Sequence, residues 1–283
     1  IDRCLGSLKA SLQPTDTLVI DNGSSDRTVE ILRKNYPEIR LIANHANLGF
    51  GKANNIGMQI ALKEDYDAVF LLNQDAWIDP KTLGSLAQES LRHPDYAILS
   101  PVHLNGNGTE LEKGFASYVQ VSSRNNLPAE NRLTECPFIN AAFWFIPTGI
   151  LKKTGGFSSL FYHYGEDKDY VNRIHFHGYR IGYLPTVFGC HDREFRKVSL
   201  EGFMRAERVY LLSEYANINY NFIQAFAYGV LAGIKKLATS LLKRQWTYAK
   251  GYAGIVSGLL SQTPDICRIR KQTKQLNPNF LKP

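Results

Sequence analysis

The sequence predicts an α/β domain, a mostly parallel sheet sandwiched by helices, with an α-helical extension at its C-terminal side. Three observations carry that reading. Short β-rich runs alternate with helical patterns over the first hundred residues, polar clusters close two of those strands, and the basic excess is confined to the last 84 residues. Strand–helix alternation is the signature of a sheet covered by helices, and such sheets bind ligands beyond the carboxyl ends of their strands.

Thr17 to Ile20 reads as a buried strand that breaks at Asp21-Asn22-Gly23-Ser24, all turn or cap formers. The helix after it sets Val29 and Leu32 on one face and stops before Pro37, and Leu41-Ile42 forms a second short strand. From Gly51 to Lys63 small or apolar residues recur at Ala53, Ile56, Gly57, Ile60 and Ala61, which is helical spacing. Ala68 to Leu72 is a third strand, ending in Asn73-Gln74-Asp75. A helix from Pro80 to Arg92 leads to a fourth, Ala97 to Ser100. The polar stretch from Asn105 to Glu135 reads as a loop or lid. After it come an apolar run, Phe138 to Ile146, then Gly155-Gly156-Phe157 and the acidic Glu166-Asp167-Lys168-Asp169.

Composition narrows the class. At 283 residues with 44% hydrophobic side chains the chain can bury a sizeable core, which excludes disordered and low-complexity readings. The four cysteines are scattered, so a disulfide framework or a thiolate zinc site is not expected. Residues 1–199 carry 21 Lys and Arg against 22 Asp and Glu, whereas residues 200–283 carry 12 against 4. That shift places a boundary between a catalytic domain, 1–199, and a basic, aromatic-rich helical region, 200–283. No uninterrupted run approaches the roughly 20 apolar residues of a membrane span; Ala225 to Ile234 is the longest and ends at Lys235-Lys236.

Chemistry can be read at a few positions, each with a plainer alternative. Asp75 at a strand tip suits a divalent cation, which takes oxygen ligands, but an ordinary turn cap looks the same. Asp167 reads equally as a helix cap and as a general base. Asp169 lies four residues before Arg173, a structural ion-pair spacing, and His175 and His177 read as structural. Gly49-Phe50-Gly51 lacks the third glycine and the preceding strand that a dinucleotide-binding loop needs.

Six segments in order resemble glycosyltransferase family 2, inverting nucleotide-sugar enzymes of the GT-A fold, with a rhamnosyltransferase-like branch suggested by Asn73-Gln74-Asp75. They are Val19 to Thr28, Asn47 to Gly57, Leu71 to Asp75, Gly155-Gly156-Phe157, Tyr164 to Asp169, and His191. The resemblance covers about residues 2–195 and implies a role for each matching position. Asp21, Asn22, Asn47, Asn54 and Asn73 would bind the nucleotide. Asp75 would ligate Mg²⁺ or Mn²⁺, with His191 as second ligand or diphosphate contact. Asp167 would be the general base supported by Glu166, and Asn140 and Trp144 would face the sugar or acceptor. The family opens with a strand whose end touches the nucleotide. This chain starts inside the following helix, at Cys4 to Leu8, which implies a truncated start.

The resemblance further implies a nucleotide-sugar donor, a glycan or lipid-linked acceptor, and cell-surface polysaccharide synthesis. It places the enzyme in the cytoplasm, peripheral on the inner face of the membrane through its basic, aromatic helices. Packing of those helices on the catalytic domain is the plainer alternative. A weakly catalytic nucleotide-binding module with a docking tail is the competing reading. Long hydrophobic runs between the charges argue against nucleic-acid binding.

Overall fold

The computed structural model describes residues 1–130, 132–193 and 199–281. In chain order the first half holds α1 (Asp2–Lys9), β1 (Leu18–Asp21), α2 (Thr28–Asn35), β2 (Arg40–Ala43), α3 (Phe50–Lys63), β3 (Ala68–Leu72), β4 (Ala76–Ile78), α4 (Thr82–Arg92) and β5 (Tyr96–Asn105). Then come α5 (Lys113–Val119), a 3₁₀ turn, β6 (Thr134–Glu135), β7 (Phe143–Pro147), α6 (Thr148–Thr154), α7 (Glu166–Phe176) and β8 (Arg180–His191). The helical region is α8 (Leu200–Ala216), α9 (Phe222–Phe226), a π-helical turn, α10 (Ala232–Leu242), α11 (Trp246–Ser261) and α12 (Thr263–Thr273).

The α/β architecture holds, but the sheet is mixed rather than mostly parallel. β1 and β2 pair in parallel as a two-stranded unit, and the main sheet runs β3-β7-β5-β8-β4 with β6 added to β8. Only β5–β8 is parallel there; β7 slots antiparallel between β3 and β5. Strand–helix alternation dictates parallel neighbours only where a helix carries the chain back. β7 arrives after the long excursion from Asn105, with no such crossover, and so enters from the opposite end. β5 runs from Tyr96 to Asn105, longer than its Ala97–Ser100 apolar segment suggests, because both faces are covered and Ser100 and His103 are buried with it. β8 continues past Pro185, where its register against β5 shifts, and ends at His191.

Two cores organise the packing. One, containing Met58, Ile98, Phe115, Trp144, Phe157 and Tyr170, lies between the main sheet and its helices. The other joins α8, α9, α11 and α12 through Leu211, Tyr215, Val256 and Ile266, and takes in Phe161 from the loop before α7. Arg270 closes the end of α8, donating to the carbonyls of Tyr215, Asn217 and Tyr220. After α12 the chain doubles back. Leu281 enters the first core and Asn279 accepts from the Gly156 N–H.

That return explains the glycine pair. Gly155 has φ +76°, and a Cβ there would stand 2.0 Å from the Asn279 carbonyl oxygen; one on Gly156 would meet Asn55 and Leu281. Asn55 of α3 clamps the same turn, accepting from the Phe157 N–H and donating to its carbonyl, at 2.8 and 2.9 Å. Arg173 completes it: it pairs with Asp169 at 3.0 Å and donates to the Thr154 and Gly156 carbonyls. The structural reading of Asp169 therefore holds. His175 and His177 likewise bond backbone carbonyls, of Pro137 and Thr273. All four cysteines are free.

The C-terminal region is helical and aromatic-rich, with one departure from the hydropathy reading. α9, the π turn and α10 fuse into a continuous 21-residue helix, Phe222–Leu242, long and apolar enough to cross a bilayer by length and composition. The interruption by Lys235-Lys236 hides this in a count of consecutive apolar residues.

Candidate active site

Five segments carry the expected site residues: the turn after β1, the loop before α3, the β3–β4 turn, the end of β8 and the N-terminus of α7. The first two are knitted by Asn22. Its Oδ1 accepts from the Leu48 N–H at 2.9 Å and from Asn44, while its Nδ2 donates to Asn47 Oδ1 and the Gly49 carbonyl. This corrects its expected role, since a side chain so fully engaged holds the loops together rather than touching a nucleotide directly. Asp21 is buried and caps its own turn, accepting from the N–H groups of Gly23 and Ser24. Asn54 spends its amide on the Phe50 carbonyl one turn back. Asn47 is exposed, and its carbonyl accepts from Tyr162 at 3.0 Å. Position 49 requires glycine, because its φ is +84° and a side chain there would run into the Tyr162 backbone.

The β3–β4 turn is closed by the Ala76 N–H donating to the Asn73 carbonyl, which also accepts from the Cys4 thiol. It carries Asp75 beside His191, whose Nε2 is 3.5 Å from Asp75 Oδ1. The ladder that aligns Ala76 with His191, and the Asp192 N–H bonded to the Asp75 carbonyl, fix that approach. Burial opposes ionisation of Asp75, but the His191 ring and the Arg193 guanidinium outweigh it and hold the carboxyl below the usual Asp value. Asp75 Oδ1 and His191 Nδ1 are buried without hydrogen-bond partners. An unpartnered carboxylate oxygen next to an imidazole fits a divalent cation whose remaining ligands come from substrate and water. Among the described residues no cluster of three or more His, Cys, Asp or Glu is poised to hold a metal alone.

At α7 the helix N-terminus presents both acids of the cluster. Glu166 is buried, its Oε2 lacks a partner, and burial with the neighbouring Asp167 charge pushes its carboxyl up to about 7. Burial also raises Asp167, against hydrogen bonds from backbone N–H groups and the Arg193 and Lys168 charges.

Arg193 links the two centres. Its charge acts on both Asp75 and Asp167, and its Nη1 lies 3.9 Å from buried Glu112. Tyr118 of α5 feels the Asp167, Glu112 and Arg193 charges, so part of the polar 105–135 stretch forms one wall. The carboxylates at positions 75 and 167 thus both lie within the field of one guanidinium. Arg193 and Tyr118 escaped the sequence reading. Arg193 follows a strand end by two residues, a usable signal, but Tyr118 lies in a segment without periodicity.

Asn140 and Trp144 fare differently. Asn140 is partly buried beside His103, with an unpartnered Oδ1. Trp144 is corrected: it is wholly buried, stacked on Phe157, and donates Nε1–H to the Ile139 carbonyl, so no sugar can reach it. It faces the core because β7 is an inner strand, covered on both sides.

Comparison with known proteins now decides the family. The model of "Glycosyl transferase family 2" matches residues 1–155, more than half of the chain. The chain belongs to glycosyl transferase family 2. It is therefore a glycosyltransferase, and its mixed sheet with flanking helices is that of the GT-A fold. A similar curated protein is the N-acetylglucosaminyl-diphospho-decaprenol L-rhamnosyltransferase of Mycobacterium tuberculosis, 26% identical over 224 residues, 68% of this chain and 72% of that one. Among solved structures, S. aureus TarS 1-349 in complex with UDP superposes with a TM-score of 0.53 at 19% identity, over 81% of this chain and 65% of that one. GalNAc-T7 with UDP, GalNAc and Mn²⁺ gives 0.54 at 12% identity, over 92% and 54%. The chain thus spans less than two thirds of each of those two structures, and the likeness to them is one of fold.

Proposed function

We propose that this glycosyltransferase transfers a sugar, with inversion, from a nucleotide-diphosphate donor to a hydroxyl of a glycan or lipid-linked acceptor. The buried, unpartnered Asp75 Oδ1 lying 3.5 Å from His191 Nε2 at a strand end is the observation that carries the reading. The donor's nucleotide lies against the loops framed by Asp21, Asn22, Asn47 and Asn54 and against Asn73. Its diphosphate then reaches Asp75, His191 and Arg193. Asp75, with His191, would hold a divalent cation such as Mg²⁺ or Mn²⁺, which would supply Lewis-acid relief of charge on the departing diphosphate.

Asp167 takes the proton from the acceptor hydroxyl as that oxygen attacks the anomeric carbon from the face opposite the leaving group. A single displacement inverts the configuration and leaves no covalent intermediate. Burial suits Asp167 to this work, because a base whose pKa is raised holds the proton more readily. Glu166 shares the helix N-terminus and supports the charge distribution there, and Asn140 contributes to the acceptor side. Residues 1–199 carry the chemistry, and residues 200–283 serve placement on the inner face of the membrane.

The similar rhamnosyltransferase supports a role in cell-surface polysaccharide synthesis, with a deoxyhexose among the donor sugars to test first. The experiment is a panel of UDP, GDP and dTDP sugars scored by thermal shift with Mn²⁺, then by product formation. One nucleotide is expected to stabilise the protein. Asp167→Asn keeps that stabilisation and loses transfer by about 10²–10⁴-fold, the contribution of a general base. Full turnover by Asp167→Asn would remove the base assignment.

A further inference from the structure

Glycosyl transfer leaves one feature unexplained, the outward face of the helix Phe222–Leu242. Its inner face, with Ala225, Gly229, Val230 and Gly233, is buried against α8 and α11. The opposite face of a helix packed in this way is ordinarily polar. Here Ile223, Leu231, Ile234, Ala238, Leu241 and Leu242 occupy it, within a sector about 100° wide, and all are exposed. Ile223 is 80% and Leu242 86% accessible, and Trp246, just past the turn into α11, is 67%. A continuous apolar stripe of this kind marks a surface that something covers.

Charge identifies what covers it. No Asp or Glu lies between Glu214 and Asp265, a stretch that holds Lys235, Lys236, Lys243, Arg244 and Lys250. Four of these bases, all but Lys236, are exposed around the stripe and the tip of the α10–α11 hairpin. Lys236 turns inward to pair with Glu207 of α8, which also accepts from the Tyr252 hydroxyl. That inner polar network and the side-on packing hold the helix against the domain, so it lies along a surface instead of crossing one. A second copy of this face would bring the same positive charges together.

We propose that residues 222–250 seat the protein on an anionic bilayer, with the helix in the membrane plane. The stripe enters the acyl boundary, Trp246 sits at headgroup level, and Lys235, Lys243, Arg244 and Lys250 meet lipid phosphates. This rests on the proposed placement of residues 200–283 at a membrane and deepens it by naming the surface and the lipid charge it takes, and its chemistry is independent of donor and acceptor.

The test is co-sedimentation of the full chain with phosphatidylcholine vesicles, with and without phosphatidylglycerol, at low and high salt. Trp246 fluorescence is followed in parallel. Binding is expected only to the anionic vesicles, weakened by salt, with a blue shift that Trp246→Phe removes. The exposed-site variant Ile234→Ser/Leu241→Ser/Leu242→Ser loses affinity about tenfold or more, and Lys243→Gln/Arg244→Gln about thirtyfold, at the usual contribution of a basic residue near such a surface. Donor-induced thermal shift is measured on each variant and stays unchanged. Its absence from the wild type would count against the glycosyl-transfer reading alone. The membrane proposal is overturned if the wild type ignores anionic vesicles, if the serine variant binds them as well as wild type does, or if light scattering shows a dimer that this variant dissociates without any vesicle affinity.

Discussion

Replacing Glu166 by Gln probes the strain at the N-terminus of α7. The carboxyl is buried, one oxygen lacks a partner, and its pKa rises from 4.5 to about 7. In the folded protein Glu166 therefore binds its proton more tightly than in the unfolded chain. Its contribution to stability is intact below about pH 4.5, falls as pH climbs to about 7, and stays low above that. The full loss is about 3 kcal/mol, from a shift of about 2.5 units at 1.36 kcal/mol each. Gln carries no such dependence. Urea unfolding of both proteins at about pH 5 and pH 8 should show the variant gaining about 2 kcal/mol on the wild type between the two conditions. The variant should lose activity over the same range, the mark of a destabilised functional residue. Parallel stability of the two proteins across that range would refute the claim that an unsolvated carboxyl sits there.

Three further perturbations test other parts of the site. Gly49→Ala forces a side chain into the Tyr162 backbone at φ +84°, and differential scanning fluorimetry should show a loss of about 1–3 kcal/mol together with weaker donor binding. Arg173→Ala strands buried Asp169 and two carbonyls, with an expected loss of about 3–5 kcal/mol in chemical denaturation. Arg173→Met combined with Asp169→Leu should recover much of it. Asp75→Asn should remove the increment that Mn²⁺ adds to donor-induced thermal stabilisation while leaving the metal-free increment in place.

Much of the site was legible because strand ends announce themselves. A β-rich run that stops at Asp21-Asn22-Gly23 or Asn73-Gln74-Asp75 marks where backbone gives way to polar side chains, and both stand where strands β1 and β3 end. Helical spacing similarly exposed Asp169 and Arg173 as a structural pair. Direction within a strand was not legible: β7 reads as apolar whether it runs parallel or antiparallel, and only its partners settle which. Nor does spacing separate a core aromatic from a sugar platform, and Trp144 belongs to the core. Asn22 shows the same limit for polar groups. A strand-end amide is equally able to bind a ligand or a neighbouring loop, and here the loop takes all of it.

The doubling back after α12 has a consequence for how the molecule is made. Asn279 and Leu281 complete the turn at Gly155-Gly156, which in turn braces Arg173 and the helix bearing Asp167. A nascent polypeptide cannot finish this turn until those late positions have left the ribosome. Shortening the chain to discard the helices after α8 would remove the Asn279 and Leu281 contacts along with them, so surface substitutions are the cleaner way to probe those helices.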